Sequence, residues 1–294
     1  MTDPLERTEA PLIDVRAVCR TYSRSRLPLR RGTRTVHALR DLTMSVPEGE
    51  RFGVVGESGC GKSTLLRLLS GLEAPSSGSI RVAGREIAGG SPRQMRLLRQ
   101  QMQVVFQDPR SSLDPRMRVR DIIAEPLLEH SRAAARSMAG EMLEAVGLPP
   151  SAGDRYPHQF SGGERQRISI ARALVSRPRV LLADEPVSAL DVSVRAQILN
   201  LLADVVERYD LTLVFVSHDL SVVRWICDTV AVMNRGQLVE IGPVERVYRA
   251  PQANYTQALI AASPSLRSVL AAGPDDPVAR SSDDADPEDL EVFR

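Results

Sequence analysis

The sequence predicts an α/β fold in which a largely parallel sheet carries a phosphate-binding loop, with an antiparallel β subdomain ahead of it and an α-helical subdomain inserted into it. Three observations support this. First, Gly56 to Thr64 reads Gly-Glu-Ser-Gly-Cys-Gly-Lys-Ser-Thr and fits the pattern G-x-x-x-x-G-K-[ST], with Gly56, Gly61, Lys62 and Ser63 at the fixed places. The apolar, β-branched run Arg51 to Val55 precedes it, and leucines at helical spacing follow from Ser63 to Leu72, so the loop joins a buried strand to a helix. Second, the short apolar runs Met102 to Phe106, Val180 to Ala183 and Leu211 to Val216 end at Gln107, Asp184 and Ser217-His218. An open α/β sheet places its ligand-binding side chains at these carboxyl ends. Third, the texture from Asp108 to about Arg177 is helical. The core is therefore that of a P-loop NTPase.

In chain order, Leu12 to Val18 alternates as a first strand, with Tyr22 close behind it. A lone tyrosine after a strand is ordinarily packing; beside a nucleotide site its ring can stack on a purine. The arginine-rich stretch 24–34 reads as a solvated loop, Val36 to Val46 as a long strand, and Pro47-Glu-Gly49 as the turn into the strand that feeds the phosphate loop. In that loop, backbone N–H groups and the helix N-terminus surround phosphate oxygens, Lys62 supplies a point charge, and Ser63 would hold magnesium. Lys62 is the only lysine: of 38 basic residues, 38 minus 1, or 37, are arginine. A compact ammonium fits among phosphates where a planar guanidinium lacks room. Cys60 stands where the helix N-terminus could lower a thiol pKa, although a small residue that merely fits is the simpler account.

Pro75 to Gly78 is a turn, Ser79 to Ala83 a strand and Ser91 to Gln101 a short helix. Within the helical insertion, Ser131 to Val146 is alanine-rich and Gly147 closes it. Phe160-Ser-Gly-Gly-Glu-Arg-Gln166 opens the next helix with a serine and two glycines, a second anion-binding nest. One core cannot bring both nests to the same phosphate if the insertion holds this one far out, so it is expected to serve another subunit's nucleotide. Asp184 is placed to hold magnesium through water, and Glu185 to polarise the attacking water. Two adjacent acids after four apolar residues are poorly explained as a solvated face. His218 alone would carry little weight, but it ends a core strand as Gln107 and Asp184 do, so all three are expected to converge on one sheet edge. Ser188 to Asp191 leads into a helix Val192 to Arg208. A small strand pair follows, Thr229 to Met233 and Gln237 to Ile241, and then helices near Val244 to Arg249 and Tyr255 to Ala262.

Composition bounds the function classes. The chain has 294 residues, 43% hydrophobic and 26% charged, enough for one substantial core and a smaller subdomain. A formal net charge of +1 argues against a globally basic nucleic-acid binder. The three cysteines, Cys19, Cys60 and Cys227, are too scattered for a disulfide or metal framework. No run approaches the 18 or so apolar residues that span a bilayer. The expectation is a chain kept in the cytoplasm, with a short extension over 1–11 and an acidic, disordered tail over 263–294.

The ordered set Gly56 to Thr64, Gln107, Ser161-Gly-Gly-Glu164, Asp184-Glu185, Ser188 to Asp191 and His218 resembles the nucleotide-binding subunit of an ABC transporter over about residues 12–262. The resemblance implies ATP and Mg2+ as cofactors and two ATP molecules sandwiched in a head-to-tail dimer. Within it, Gly56, Glu57, Ser58, Gly59, Cys60, Gly61, Lys62, Ser63 and Thr64 bind nucleotide with Tyr22. Ser161, Gly162, Gly163 and Glu164 are the signature contacting the opposite nucleotide. Glu185, His218 and Gln107 are catalytic, Ser63, Gln107 and Asp184 serve the metal, and Asp191 carries communication across the dimer. Phe106-Gln-Asp-Pro109, Ser112-Leu-Asp-Pro115 and the ending Pro251 to Thr256, with a family extension over about 243–262, resemble the oligopeptide and dipeptide importer branch, which also includes nickel importers. The chain departs from that branch at Asp114, where Asn is usual, and at Ala253-Asn254, where His-Pro is usual. It also lacks the cysteine cluster that some relatives carry near the carboxyl terminus.

The implied partners are a second ATPase subunit, identical or paralogous, membrane-spanning permease subunits and, indirectly, a solute-binding protein, with no nucleic acid. The implied location is peripheral, on the cytoplasmic face of the cell membrane. An importer for another solute such as nickel, an exporter ATPase, and a soluble ABC ATPase acting on nucleic acid are the other readings. The last generally brings long coiled coils, zinc-binding insertions or tandem cassettes, which this chain lacks.

Overall fold

The computed structural model describes residues 10–24, 34–87 and 90–262. The arginine-rich loop, most of the amino-terminal extension and the acidic tail lie outside the described residues. Among the described residues ten strands form two sheets. Strands β1 (Ile13–Arg24), β2 (Arg34–Val46), β4 (Ser77–Val82) and β5 (Arg85–Glu86) make a four-stranded antiparallel sheet in the order β2-β1-β4-β5. Strands β3 (Arg51–Val55), β6 (Met102–Val105), β7 (Val180–Asp184), β8 (Thr212–Ser217), β9 (Thr229–Asn234) and β10 (Gln237–Pro243) make the second sheet, in the order β10-β9-β3-β8-β7-β6. That sheet is parallel except for the antiparallel edge strand β10.

The core strands are apolar throughout, because a parallel sheet is covered on both faces. Every residue of β8 is buried, as are Val180 to Ala183 in β7. Each side chain the size of Phe52 or Phe215, fully buried here, stabilises the fold by about 1.5–3 kcal/mol. One apolar cluster lies between this sheet and the antiparallel sheet with helix α1 (Lys62–Leu69), and Met95 and Leu98 pack against it; a larger one joins the sheet's other face to helices further along the chain. The register pairs Val55 with Ser217 and Asp184 with Val216, so the carboxyl ends of β3, β7 and β8 share one edge.

Between β6 and β7 lie the expected helices: α3 (Pro109–Ser112), α4 (Val119–Ala124), α5 (Arg132–Ala145), two short 3-10 turns and α6 (Gly162–Leu174). Their buried Ile122, Ile123, Ala139, Leu143 and Ile168 belong to the same cluster as the core strands, so the insertion is packed onto the sheet. Helix α2 (Pro92–Gln101) has a reciprocal cap between Ser91 and Gln94, and helix α7 (Val192–Arg208) follows Asp191 as the sequence indicates.

Several expectations are corrected. The first strand runs on to Arg24 through an irregular register near Ala17, whose φ is 49°, so Tyr22 sits within β1 opposite Val36. Helix α1 stops at Leu69 rather than Leu72: the chain turns at Gly71, and the Leu72 N–H folds back onto Arg67 O at 2.9 Å. Helix α8 (Leu220–Ile226), whose first turn is capped by Asp219 accepting from the Ser221 N–H, was not expected, nor was the two-residue β5. The expected pair β9 and β10 forms, and β9 in addition lies parallel beside β3 in the core. Helices α9 (Val244–Arg249) and α10 (Asn254–Ala262) complete the described chain. Among the described residues no helix is long and apolar enough to cross a membrane.

Candidate nucleotide site

An open cavity of about 510 Å³ lies where the phosphate loop meets the carboxyl edge of the sheet. Ser58, Gly59, Gly61, Lys62, Ser63 and Thr64 form its floor, Gln107 and Glu185 one wall, and Val36, His37, Ala38 and Arg40 of β2 the other, with Arg235 and Gly236 at the rim. The loop takes this shape because of Gly61: its φ is 114°, and a Cβ there would fall 2.6 Å from Ala38 O. The Lys62 ammonium is buried at 5% exposure and donates to Gly56 O at 2.6 Å and Glu57 O at 3.0 Å. Lys62 opens α1, where the dipole and N–H groups already favour an anion, and its ammonium reaches back across the loop to the carbonyls at the loop's start.

Behind the loop, the Ser63 hydroxyl lies close to the Asp184 carboxylate. Burial and the neighbouring Glu185 push the Asp184 pKa up, against the pull of Ser63 and Lys62. Asp184 Oδ1 is buried without a protein partner. An orphaned carboxylate oxygen close to the Ser63 hydroxyl, with Gln107 lining the same cavity as Ser63, is a set of hard oxygen donors that fits a magnesium ion.

Glu185 occupies a left-handed backbone conformation, φ 45°, held by its N–H on Val216 O at 3.0 Å. A non-glycine residue there is strained by about 1–3 kcal/mol, a cost that neighbouring structure must offset. Its Oε2 accepts from His218 Nδ1 at 3.0 Å, while Gln107 Nε2 donates to Ser188 Oγ at 3.2 Å and stands 3.5 Å from the same Glu185 oxygen. The strand ends therefore do converge, with His218 and Gln107 at the Glu185 carboxylate and the Ser188 hydroxyl on the Glu185 backbone carbonyl at 3.0 Å.

Ser161 caps α6, and Glu164 folds back on it: Oε2 accepts from both the Ser161 N–H and hydroxyl at 2.8 Å, which holds the Glu164 pKa below the ordinary value. Glu164 thus braces Ser161. None of Ser161 to Glu164 lines the cavity. Asp191 is exposed at the start of α7.

Tyr22 does not line the cavity either. Its hydroxyl donates to Glu73 at 2.6 Å, and the Arg20 guanidinium, itself paired with Glu73 at 2.9 Å, covers the ring at 4.6 Å. The thiol of Cys60 is buried, and burial pushes its pKa up despite the charge of Lys62, so the helix N-terminus does not activate it. Sequence reasoning missed the β2 wall and the Arg235-Gly236 rim. The Gly236 N–H donates to Cys60 O at 2.8 Å and Gly236 O accepts from the Arg40 N–H at 2.8 Å, so this turn joins the phosphate loop to the antiparallel sheet. The Asn234-Arg-Gly236 sequence between the two strands marks a turn, but local sequence does not say what that turn touches.

Residues 39–188 match the family described as ABC transporter. Over 258 residues the chain is 46% identical to the di/tripeptide transport ATP-binding protein DppF of Pseudomonas aeruginosa (strain UCBPP-PA14), covering 87% of this chain and 80% of the relative. It is 47% identical over 235 residues to the oligopeptide transport ATP-binding protein OppF of Escherichia coli (strain K12), covering 79% and 70%. Among solved structures it resembles the ATP-binding cassette MJ0796, in a dimeric post-hydrolysis state bound to ADP and Pi. The TM-score is 0.69 at 28% identity, over 79% of this chain and 98% of that one.

Proposed function

Because this chain belongs to the ABC transporter family, we propose that it is the ATP-hydrolysing subunit of an importer that takes up oligopeptides or dipeptides through separate membrane-spanning subunits. The observation that carries the catalytic part is the clustering of His218, Gln107 and Ser188 around Glu185 on the wall of the Lys62 cavity. The cargo rests on the relatives' names and on the ending Pro251 to Thr256.

Lys62 and the loop N–H groups bind the terminal phosphates of ATP, leaving the acceptor carboxylate of Glu185 beside them to polarise the attacking water. His218 donates to that carboxylate and fixes its direction, and Gln107 stands at the same oxygen. Ser63, Gln107 and, through water, Asp184 would hold magnesium, which would supply charge neutralisation on the phosphate oxygens. Catalysis is then a matter of positioning and electrostatics, with no covalent step on the protein. Tyr22, braced by Arg20 and Glu73, serves the purine with whichever ring face Arg20 leaves open.

The nest at Ser161 lies outside this cavity, so it serves the nucleotide of a second ATPase subunit, identical or paralogous, in a head-to-tail pair, with Asp191 near the junction. The pair sits against the permease subunits on the cytoplasmic face of the membrane.

The test is reconstitution in lipid with permease, second cassette and binding protein, measuring ATP turnover with added di- and oligopeptides or with nickel. Peptide-stimulated turnover, absent from the chain alone, is expected. Stimulation by nickel only would overturn the cargo, and full turnover by a demonstrated monomer would overturn the shared site.

A further inference from the structure

The last described helix reaches the phosphate loop at one atom. Tyr255, in the first turn of α10, is partly buried, and its hydroxyl oxygen accepts from the Glu57 N–H at 3.1 Å. That N–H belongs to the peptide unit whose carbonyl, Gly56 O, accepts from the Lys62 ammonium at 2.6 Å. A trans peptide directs its N–H and C=O to opposite edges of one rigid plane. The plane between Gly56 and Glu57 is therefore pinned on one edge by Tyr255 and on the other by Lys62, in a chain where each hydrogen bond polarises the next.

Tyr255 is itself held in place. Glu240 of β10, 8% exposed, accepts from the Gln252 N–H at 3.0 Å and the Ala253 N–H at 3.1 Å. Burial pushes its pKa up, but these bonds outweigh burial and leave it below the ordinary value, so the carboxylate is charged at the head of α10. Burial likewise pushes the Tyr255 hydroxyl up, so it stays neutral at physiological pH and its oxygen remains an acceptor.

We propose that Tyr255 is a positioning residue for nucleotide binding: its hydroxyl fixes the Gly56–Glu57 peptide and so sets the carbonyls that aim Lys62, while Glu240 anchors the helix that presents it. The proposal rests on the reading that this loop binds ATP. It gives the ending Pro251 to Thr256 a part at the nucleotide, which cargo recognition does not supply.

The opposing account is that a half-buried tyrosine has simply found a partner. The two separate in the full-length chain, titrated with MgATP as wild type, Tyr255→Phe and Gln257→Ala, with amide exchange read at Glu57. Tyr255→Phe keeps the ring and loses only the hydroxyl; Gln257→Ala loses the α10 contact to Pro251 O and keeps the hydroxyl. For Tyr255→Phe the expected result is a nucleotide Kd raised about two- to tenfold, the range one neutral hydrogen bond allows, faster exchange at Glu57 and a Tm near wild type. Gln257→Ala should bind as wild type. Either the Kd or the Glu57 exchange of Tyr255→Phe remaining at the wild-type value overturns the proposal, as does an equal loss of affinity in Gln257→Ala. A wild-type chain that binds no nucleotide would overturn the ATPase reading as well.

Discussion

His218 Nδ1 donates to Glu185 Oε2 at 3.0 Å, and the two residues stand 33 positions apart in the chain. The carboxylate is 17% exposed and the imidazole 56%, so the acid is inside and its holder is at the mouth. The register of β7 against β8 makes this pairing, because Asp184 lies opposite Val216, so Glu185 and His218 leave the sheet at the same edge.

Glu185→Gln should therefore keep nucleotide affinity within about twofold while lowering turnover by about 10²–10⁴, the share a positioned base contributes. The amide preserves size and can still face His218, but it no longer polarises water. ATP turnover of the reconstituted assembly, beside equilibrium binding to the chain, checks both halves; a variant with near-normal turnover removes Glu185 from the chemistry.

Lys62→Arg should bind MgATP about 10–100-fold more weakly although the charge is kept. The ammonium sits buried between two carbonyls at 2.6 and 3.0 Å, and a guanidinium in that space must give up those charge-assisted bonds or displace the loop. Titration against wild type decides it, with equal affinities counting against the fit of the loop to a point charge.

Asp184→Asn should stabilise the nucleotide-free chain. With a raised folded pKa, Asp184 imposes no penalty at low pH, where it is protonated in both states, and stability is lost as pH rises through the folded value and the buried charge forms. Asparagine never forms that charge, so at neutral pH its Tm should be higher by a few degrees, on the scale of about 2–4 °C per kcal/mol, and the gain should vanish in acid. Hydrolysis should fall at the same time, since a neutral amide holds magnesium poorly.

Ser161→Arg should leave the affinity of the isolated chain for nucleotide unchanged, because Ser161 does not line its own cavity. In the assembled transporter the same variant should abolish turnover at the site whose phosphate loop belongs to the other cassette. Loss of binding in the isolated chain would instead place Ser161 at its own nucleotide.

How much of this was legible depended on whether a feature is local. The phosphate loop, the acid pair at the end of β7 and the nest at Ser161 are each written in under ten consecutive residues, and the core strands are legible because a doubly covered strand is apolar throughout. The placement of Gln107, Glu185 and His218 followed from one rule about strand ends. What could not be read depends on long-range contact. The partner of Tyr22 is Glu73, 51 positions away, and that of Glu57 is Tyr255, 198 positions away. The bracing of Ser161 by Glu164 was within reach, since Ser-x-x-Glu is a capping pattern, but the nest reading drew attention to the glycines instead. Helix α8, with seven residues, is too short for periodicity to show.

The turn Asn234 to Gly236 looks from outside like a hairpin tip, the kind of site into which a tag, a reporter or a new chain terminus is ordinarily placed. Gly236 forbids that use. Its N–H is committed to Cys60 in the phosphate loop and its carbonyl to Arg40 in the other sheet, and with φ 82° a Cβ would lie 2.7 Å from Ala38 O. An insertion here would pry the sheets from each other and slacken the nucleotide loop in one stroke. Anyone splitting or relabelling the protein should pass over its most inviting surface turn.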